Sequence, residues 1–461
     1  MTTPVGCITI GGMQTIDTVL DARWVIPVEP AQQVLDHHAV AVHEGRIIDV
    51  LPSTLVATRY SVRERVSLAT HVLIPGLVNA HTHSAMSLFR GLADDLPLMR
   101  WLKDFIWPAE ARWVNREFCR DGVLLAAIEM LKGGTTCFND MYFFPDATAA
   151  AAREARMRVC IGLIVIDFPT GWARNVDEYL AKGLELRDDL RTSELMTTAL
   201  APHAPYTVSD DALARIRVLS DQLDLPIHMH VHETAGEVSD SEAAHGVRPL
   251  ARLKNLGLVS PRLMAVHMTQ LSTAEIAWLA QEGVHVIHCP RSNLKTASGF
   301  CPVAQLDTAG VNVAVGTDGA ASNNDLDLLG EMRSAALLAK GCSGDPTAVP
   351  AHRALAMATL HGARALGLDD RIGSIVPGKA ADLAAVDLSH ASTQPVYDAL
   401  SQIVYSASRH QVTDVWVAGQ RLLREGRLTH LDEHAVLERI QEWRRRIAGT
   451  GNDAAPEEAT G

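Results

Sequence analysis

The chain has 461 residues, 47% hydrophobic and 21% charged, proportions that suit a globular protein with one large core and a smaller unit. Its 54 acidic and 41 basic side chains give a formal charge of −13, which repels phosphate backbones and anionic lipid and so excludes nucleic-acid and membrane-surface partners. Seven scattered cysteines with no C-x-x-C pair argue for reduced thiols. The sequence shows neither a basic-then-apolar leader nor an apolar run of about eighteen residues, so a cytoplasmic location is expected.

In chain order, residues 17–70 alternate β-branched and polar residues between turns, and Glu44-Gly45-Arg46 between two apolar runs predicts a hairpin. The same texture returns only in 373–386 and 412–421. Residues 1–70 and 372–447 are therefore expected to form one β-sandwich domain from both chain ends, with 71–371 inserted between them. Within the insertion, apolar runs at 72–80, 134–140, 158–166, 196–203, 226–232, 262–268, 283–289 and 312–318 alternate with amphipathic stretches. Eight such units predict an α/β fold, a (β/α)₈ TIM-type barrel, whose chemistry sits on the loops after the strands. Val436, Leu437, Ile440, Trp443 and Ile447 have helical spacing, and the polar tail 448–461 is expected to be disordered. There is no Gly-rich phosphate loop and no G-x-S-x-G nucleophile motif.

Polar residues gather at the ends of the expected barrel strands. The first run ends in His81-Thr82-His83; residues two apart on a strand share a face, so both imidazoles point to one spot. The fourth ends at His203, the fifth at His230 and Glu233, the sixth at His267, the seventh at His288 and the eighth at Asp318. Each has an ordinary explanation alone: Asp318 as a helix cap, His267 as a core histidine, Glu233 as a loop glutamate. The cap explanation is weakened because the residues after Asp318 do not start a helical pattern at once. His228, His230 and His232 share one face, and only one can sit at the strand mouth, so two of them are structural or support a ligand. His285 is out of phase and is read as structural.

Taken together, His-x-His, His-x-x-Glu, His and Asp at successive strand ends resemble the amidohydrolase superfamily, in the branch that binds one divalent metal without a carbamylated lysine. The resemblance spans nearly the whole chain, from the PGLVNAHTH stretch at 75–83 to GSIVPGKAADL at 373–383. It implies His81, His83, His230 and Asp318 as metal ligands, Glu233 as proton carrier and His267 beside the attacking water. Zinc is the expected ion, with iron as the alternative for a His₃Asp set. The reaction implied is hydrolytic deamination of a nitrogen heterocycle. The segment after His83, with Ile106-Trp107-Pro108-Ala109-Glu110, and the stretches at 201–206 and 316–327 look like the 5′-methylthioadenosine/S-adenosylhomocysteine deaminases. That likeness implies a small purine nucleoside substrate, ribose binding by Glu110 and nucleoside binding by His203. It also implies that apolar loop side chains, Met86, Leu88 and Phe89 among them, receive the 5′ thioether. Other heterocycles (triazines, pterins, oxidised purines) and a noncatalytic metal-stabilised barrel are the alternatives, and a homo-oligomer is compatible with the sequence.

Overall fold

The structure, a computed structural model, describes residues 13–449. The tail expected to be disordered begins at 448, and from 450 onward it lies outside the described residues, as does Cys7.

Two eight-stranded sheets organise the chain. The first takes strands from both ends: β1 (Gln14–Val25), β2 (Leu35–His43), β3 (Arg46–Pro52) and β4 (Tyr60–Pro75), then β13 (Leu383–Asp387), β14 (Val412–Val417), β15 (Gln420–Arg424) and β16 (Arg427–Leu428). Its order is β16-β15-β14-β13-β4-β1-β2-β3, so β4 joins the two halves by pairing parallel with β1 and antiparallel with β13. The layers expected of a sandwich are thus halves of one continuous sheet that curls over itself. Leu20, Val40, Ile47 and Leu73 from one half share a core with Leu383 and Trp416 from the other. The expected hairpin joins β2 and β3, and Glu44 and Gly45 both adopt positive φ (48° and 75°), the conformation a tight two-residue hairpin turn requires.

The second sheet is the barrel: β5 (Leu77–Thr82), β6 (Thr135–Met141), β7 (Arg158–Val165), β8 (Met196–Pro202), β9 (Ile227–Val231), β10 (Leu263–His267), β11 (His285–His288) and β12 (Asn312–Val315), all parallel and in chain order. Helices fill the connections, several with side-chain N-caps such as Asn115, Asn175, Ser209 and Ser272. The seam between β5 and β12 is closed by Asp318 N donating to His81 O at 3.0 Å. Asn79 adds two bonds to Thr317, of 2.8 and 3.0 Å.

One expected strand divides. The run at 72–80 is a single apolar stretch, yet residues through Pro75 stay in the curled sheet and the barrel strand begins at Leu77. Pro75 offers no N–H to a ladder, and a Cβ on Gly76 would lie 2.1 Å from Thr136 Oγ1, so the chain switches sheets at this pair. The residues after Asp318 also differ from expectation: a one-turn helix, Ala320–Asn323, begins two residues later. Its brevity left no periodic pattern to read. The C-terminal helix Glu433–Gly449 covers the expected 431–447 stretch. It docks on the barrel helix Arg116–Lys132, where Trp443 Nε1 donates to Asp121 Oδ2 at 3.1 Å.

Candidate active site

At the C-terminal mouth of the barrel, a cavity of about 810 Å³ is lined by His83, His230, Glu233, His267, Asp318, His203 and Glu110. His81 lies directly beneath, fully buried. All eight residues singled out in the sequence therefore meet at one place.

His81, His83 and His230 present ring nitrogens within 4.8 Å of one another. His83 Nδ1 donates to Met141 O and His230 Nδ1 donates to His203 O at 2.7 Å, which leaves both Nε2 atoms as bare lone pairs. Those two lone pairs face each other at 3.3 Å. His81 Nδ1 lies 2.8 Å from His228 Nε2, and His81 Nε2 is buried without a hydrogen-bond partner. Asp318 Oδ1 sits 3.3 Å from Nε2 of both His81 and His83. Converging lone pairs beside a carboxylate repel in an empty site and fit a divalent cation, each ligand ring being oriented by a partner on its other nitrogen.

Electrostatics favour the same state. Burial lowers His81 to about 4 and pushes His228 and His230 well below the usual histidine range, so the rings are neutral, as metal ligands must be. For Asp318, burial acts upward, but the contact with His81 and the other imidazoles around it outweigh it and hold the carboxyl well below its ordinary range. Ser292 Oγ and Ser322 Oγ donate to its Oδ2 at 2.6 and 2.8 Å.

The three histidines of β9 divide as strand geometry requires. His230 reaches the mouth, His228 supports His81 from below, and His232 Nε2 accepts from Leu250 N at 3.1 Å. Just beyond, Glu233 is buried with its carboxyl pushed up, burial being the main cause. Its backbone is clamped: Glu233 N donates to Glu237 Oε2 at 2.7 Å, and Glu233 O accepts from Thr269 Oγ1 at 2.7 Å. His267 Nε2 lies 3.8 Å from Glu233 Oε1.

Across the cavity, Glu110 Oε1 accepts from Tyr142 OH at 2.8 Å, and burial among aromatic neighbours raises its carboxyl to about 7. His203 has its Nδ1 3.0 Å from Thr207 Oγ1 and is lowered to about 3, first by burial, so it is a neutral ring. The apolar wall differs from expectation. Met86 reaches the cavity, but Phe89 is buried against Phe118, with ring centroids 4.7 Å apart, and Leu88 packs on the core. Leu98, Trp101, Leu102, Ile106, Trp107 and Phe168 form the wall instead. The segment from 84 turns most of its first helix inward, so that Met86 alone of the three reaches the opening and the later residues supply the rest of the wall.

The sequence pattern of the amidohydrolase family matches residues 72–422. The chain belongs to the amidohydrolase family. A 5-methylthioadenosine/S-adenosylhomocysteine deaminase of Teredinibacter turnerae is 49% identical over 433 residues, 94% of this chain and 98% of that protein. A 5′-deoxyadenosine deaminase of Methanothermobacter thermautotrophicus is 47% identical over 369 residues, 80% of this chain and 85% of that protein. The crystal structure of an adenosine deaminase from Xanthomonas campestris with bound zinc superposes with a TM-score of 0.94 at 54% identity, covering 95% of this chain and 100% of that one.

Sequence reasoning passed over several residues that this amidohydrolase site uses: Tyr142 on Glu110, Ser292 and Ser322 on Asp318, Asn293 on His267, and Glu237 under Glu233. Ser292 and Asn293 follow β11 at the end of the barrel that carries the chemistry, and that position was the one available signal.

Proposed function

We propose that this amidohydrolase removes the exocyclic amino group of the adenine ring of 5′-methylthioadenosine by hydrolysis, giving the inosine derivative and ammonia. The observation that carries the reading is one cavity holding both halves of a nucleoside site. Three imidazoles and a carboxylate converge beside Glu233 and His267, and Glu110 faces them from an otherwise apolar wall. His81, His83, His230 and Asp318 would hold a single divalent ion, zinc in our reading. Such an ion, when bound, lowers the pKa of water so that hydroxide is available near neutrality.

The side chains do the rest. Glu233, its carboxyl pushed up by burial, carries a proton to the ring nitrogen next to the amino-bearing carbon and makes that carbon electrophilic. His267 orients the attacking oxygen, and Asp318 receives its proton. The C–O bond forms, the C–N bond then breaks as Asp318 passes its proton to the leaving amine, which departs as ammonia, and the remaining hydroxyl proton returns to Glu233 to leave the oxo ring with its N–H. Glu110 accepts hydrogen bonds from the ribose hydroxyls while His203 contacts the nucleoside. A purely structural metal site would need neither Glu233 nor His267 beside it.

The segment carrying Glu110 also supplies Leu98, Trp101, Leu102 and Ile106, so the apolar wall adjoins the ribose end, and among the described residues no Lys or Arg lines the cavity. An uncharged 5′ substituent is favoured there over the charged amino-acid tail of S-adenosylhomocysteine. Buried, unpaired Cys119, Cys137, Cys160, Cys289 and Cys301 support a reducing, cytoplasmic setting.

The test is the adenine-to-hypoxanthine absorbance change with metal-loaded protein, run with 5′-methylthioadenosine, S-adenosylhomocysteine, adenosine and a chlorotriazine. Methylthioadenosine should be the best substrate, and Glu233→Gln should lower kcat by about 10²–10⁴-fold. Turnover of the triazine alone would replace the nucleoside reading.

A further inference from the structure

The short helix after β11, Pro290–Lys295, presents two neighbouring side chains to the site. Ser292 bonds Asp318, and Asn293 Oδ1 lies 2.8 Å from His267 Nδ1. Asn293 is 2% exposed and His267 1% exposed, so neither group can turn to bulk water for a partner. His267 is also held at φ +77°, a backbone conformation that side-chain-bearing residues rarely adopt, which fixes where its ring projects.

A neutral imidazole has one N–H, and its position decides what the other nitrogen can do. With Asn293 Oδ1 as acceptor, the proton sits on Nδ1 and the Nε2 lone pair faces Glu233 Oε1 at 3.8 Å and the cavity. The Asn293 amide nitrogen then points the other way. It is buried without a partner and lines a small side cavity with His288, both of whose ring nitrogens also lack hydrogen-bond partners. These unpartnered polar groups share the lining of that side cavity, on the side of Asn293 away from His267.

Resting on the deaminase reading, we propose that Asn293 is a positioning residue that holds His267 in the Nδ1–H tautomer, so that Nε2 accepts a hydrogen bond from the attacking water. Asn293 touches neither substrate nor metal; it acts only through His267.

Two measurements on zinc-loaded full-length protein test this. In the first, Asn293→Ala lowers kcat about 10–100-fold with KM within about twofold and zinc content unchanged, the expected loss for one buried hydrogen bond. Asn293→Asp, which keeps an acceptor at the same place, recovers most of kcat. An unchanged kcat in Asn293→Ala overturns the proposal, and so does an Asn293→Asp variant that is folded and zinc-loaded yet no better than Asn293→Ala. The second measurement needs no turnover: ¹⁵N ring shifts of His267, assigned by their loss in His267→Asn, should show a protonated Nδ1 and a bare Nε2. A protonated Nε2 overturns the proposal even in an active enzyme. A bare Nε2 in a protein that deaminates no adenine nucleoside leaves the positioning role standing and removes the deaminase reading.

Discussion

Nε2 of His83 and Nε2 of His230 face each other at 3.3 Å, while the other nitrogen of each ring donates to a backbone carbonyl, of Met141 and His203 respectively. As neutral rings, neither can donate to the other without giving up a buried partner. This opposed pair suits a cation, and the carboxylate of Asp318, 3.3 Å from His83 Nε2, completes its surroundings.

Removing either ring should therefore empty the site. His83→Ala and His230→Ala should each weaken divalent-metal affinity more than the roughly 10–100-fold seen when only an outer hydrogen-bond partner is lost. Competition against a chelating dye measures this directly. A variant that kept full metal content would remove that histidine from the ligand set.

The proposed ribose contact of Glu110 predicts a substrate affinity that depends on pH. Burial raises its carboxyl to about 7, against the opposing Tyr142 hydrogen bond. Ribose hydroxyls need the ionised form as acceptor, so KM for the nucleoside should rise as pH falls below about 7, approaching tenfold per pH unit. Glu110→Gln, which cannot ionise, should raise KM and flatten its pH dependence. A KM profile unchanged by this substitution would mean that Glu110 does not bind the ribose.

Arg158 on β7 and Asp382 beside β13 form a buried two-point ion pair, at 2.9 and 3.1 Å, that ties the barrel to the curled sheet. Asp382 Oδ1 also accepts from Ala418 N at 2.8 Å. Asp382→Ala would strand a buried guanidinium and should cost about 3–5 kcal/mol in denaturant unfolding. Adding Arg158→Leu should recover part of the loss, because the unpaired charge is then gone. A single variant within about 0.5 kcal/mol of the parent would show the pair to be dispensable.

Gly316 tests how closely the barrel seam is built around His81. A Cβ there would lie 2.7 Å from His81 N and 2.9 Å from His81 O. Gly316→Ala should push β5 and β12 apart and lower metal content and activity together. Gly341→Ala, in the last turn of the helix Leu328–Ser343 with nothing within 4 Å of the new Cβ, should instead stabilise by up to about 0.5 kcal/mol and leave metal binding intact.

The sequence alone determined the eight barrel strands, the hairpin at Glu44-Gly45 and the histidines, the glutamate Glu233 and the aspartate that meet at the strand ends. These were legible because alternation along a strand and the common polarity of parallel strands are local rules, so a residue's place in its own run fixes which end and which face it occupies. Only the tertiary structure decided what those residues touch. It divided the apolar run at Pro75-Gly76 between two sheets, because the apolar pattern is the same in both and the switch depends on Thr136 from a distant strand. It turned Phe89 into the core and brought Leu98, Trp101 and Ile106 to the cavity, since an irregular segment has no fixed period. It also set Tyr142 against Glu110 and Asn293 against His267. Those partners come from the segments of different strand–helix units, and their meeting follows from closure of the barrel, which no single stretch of sequence encodes.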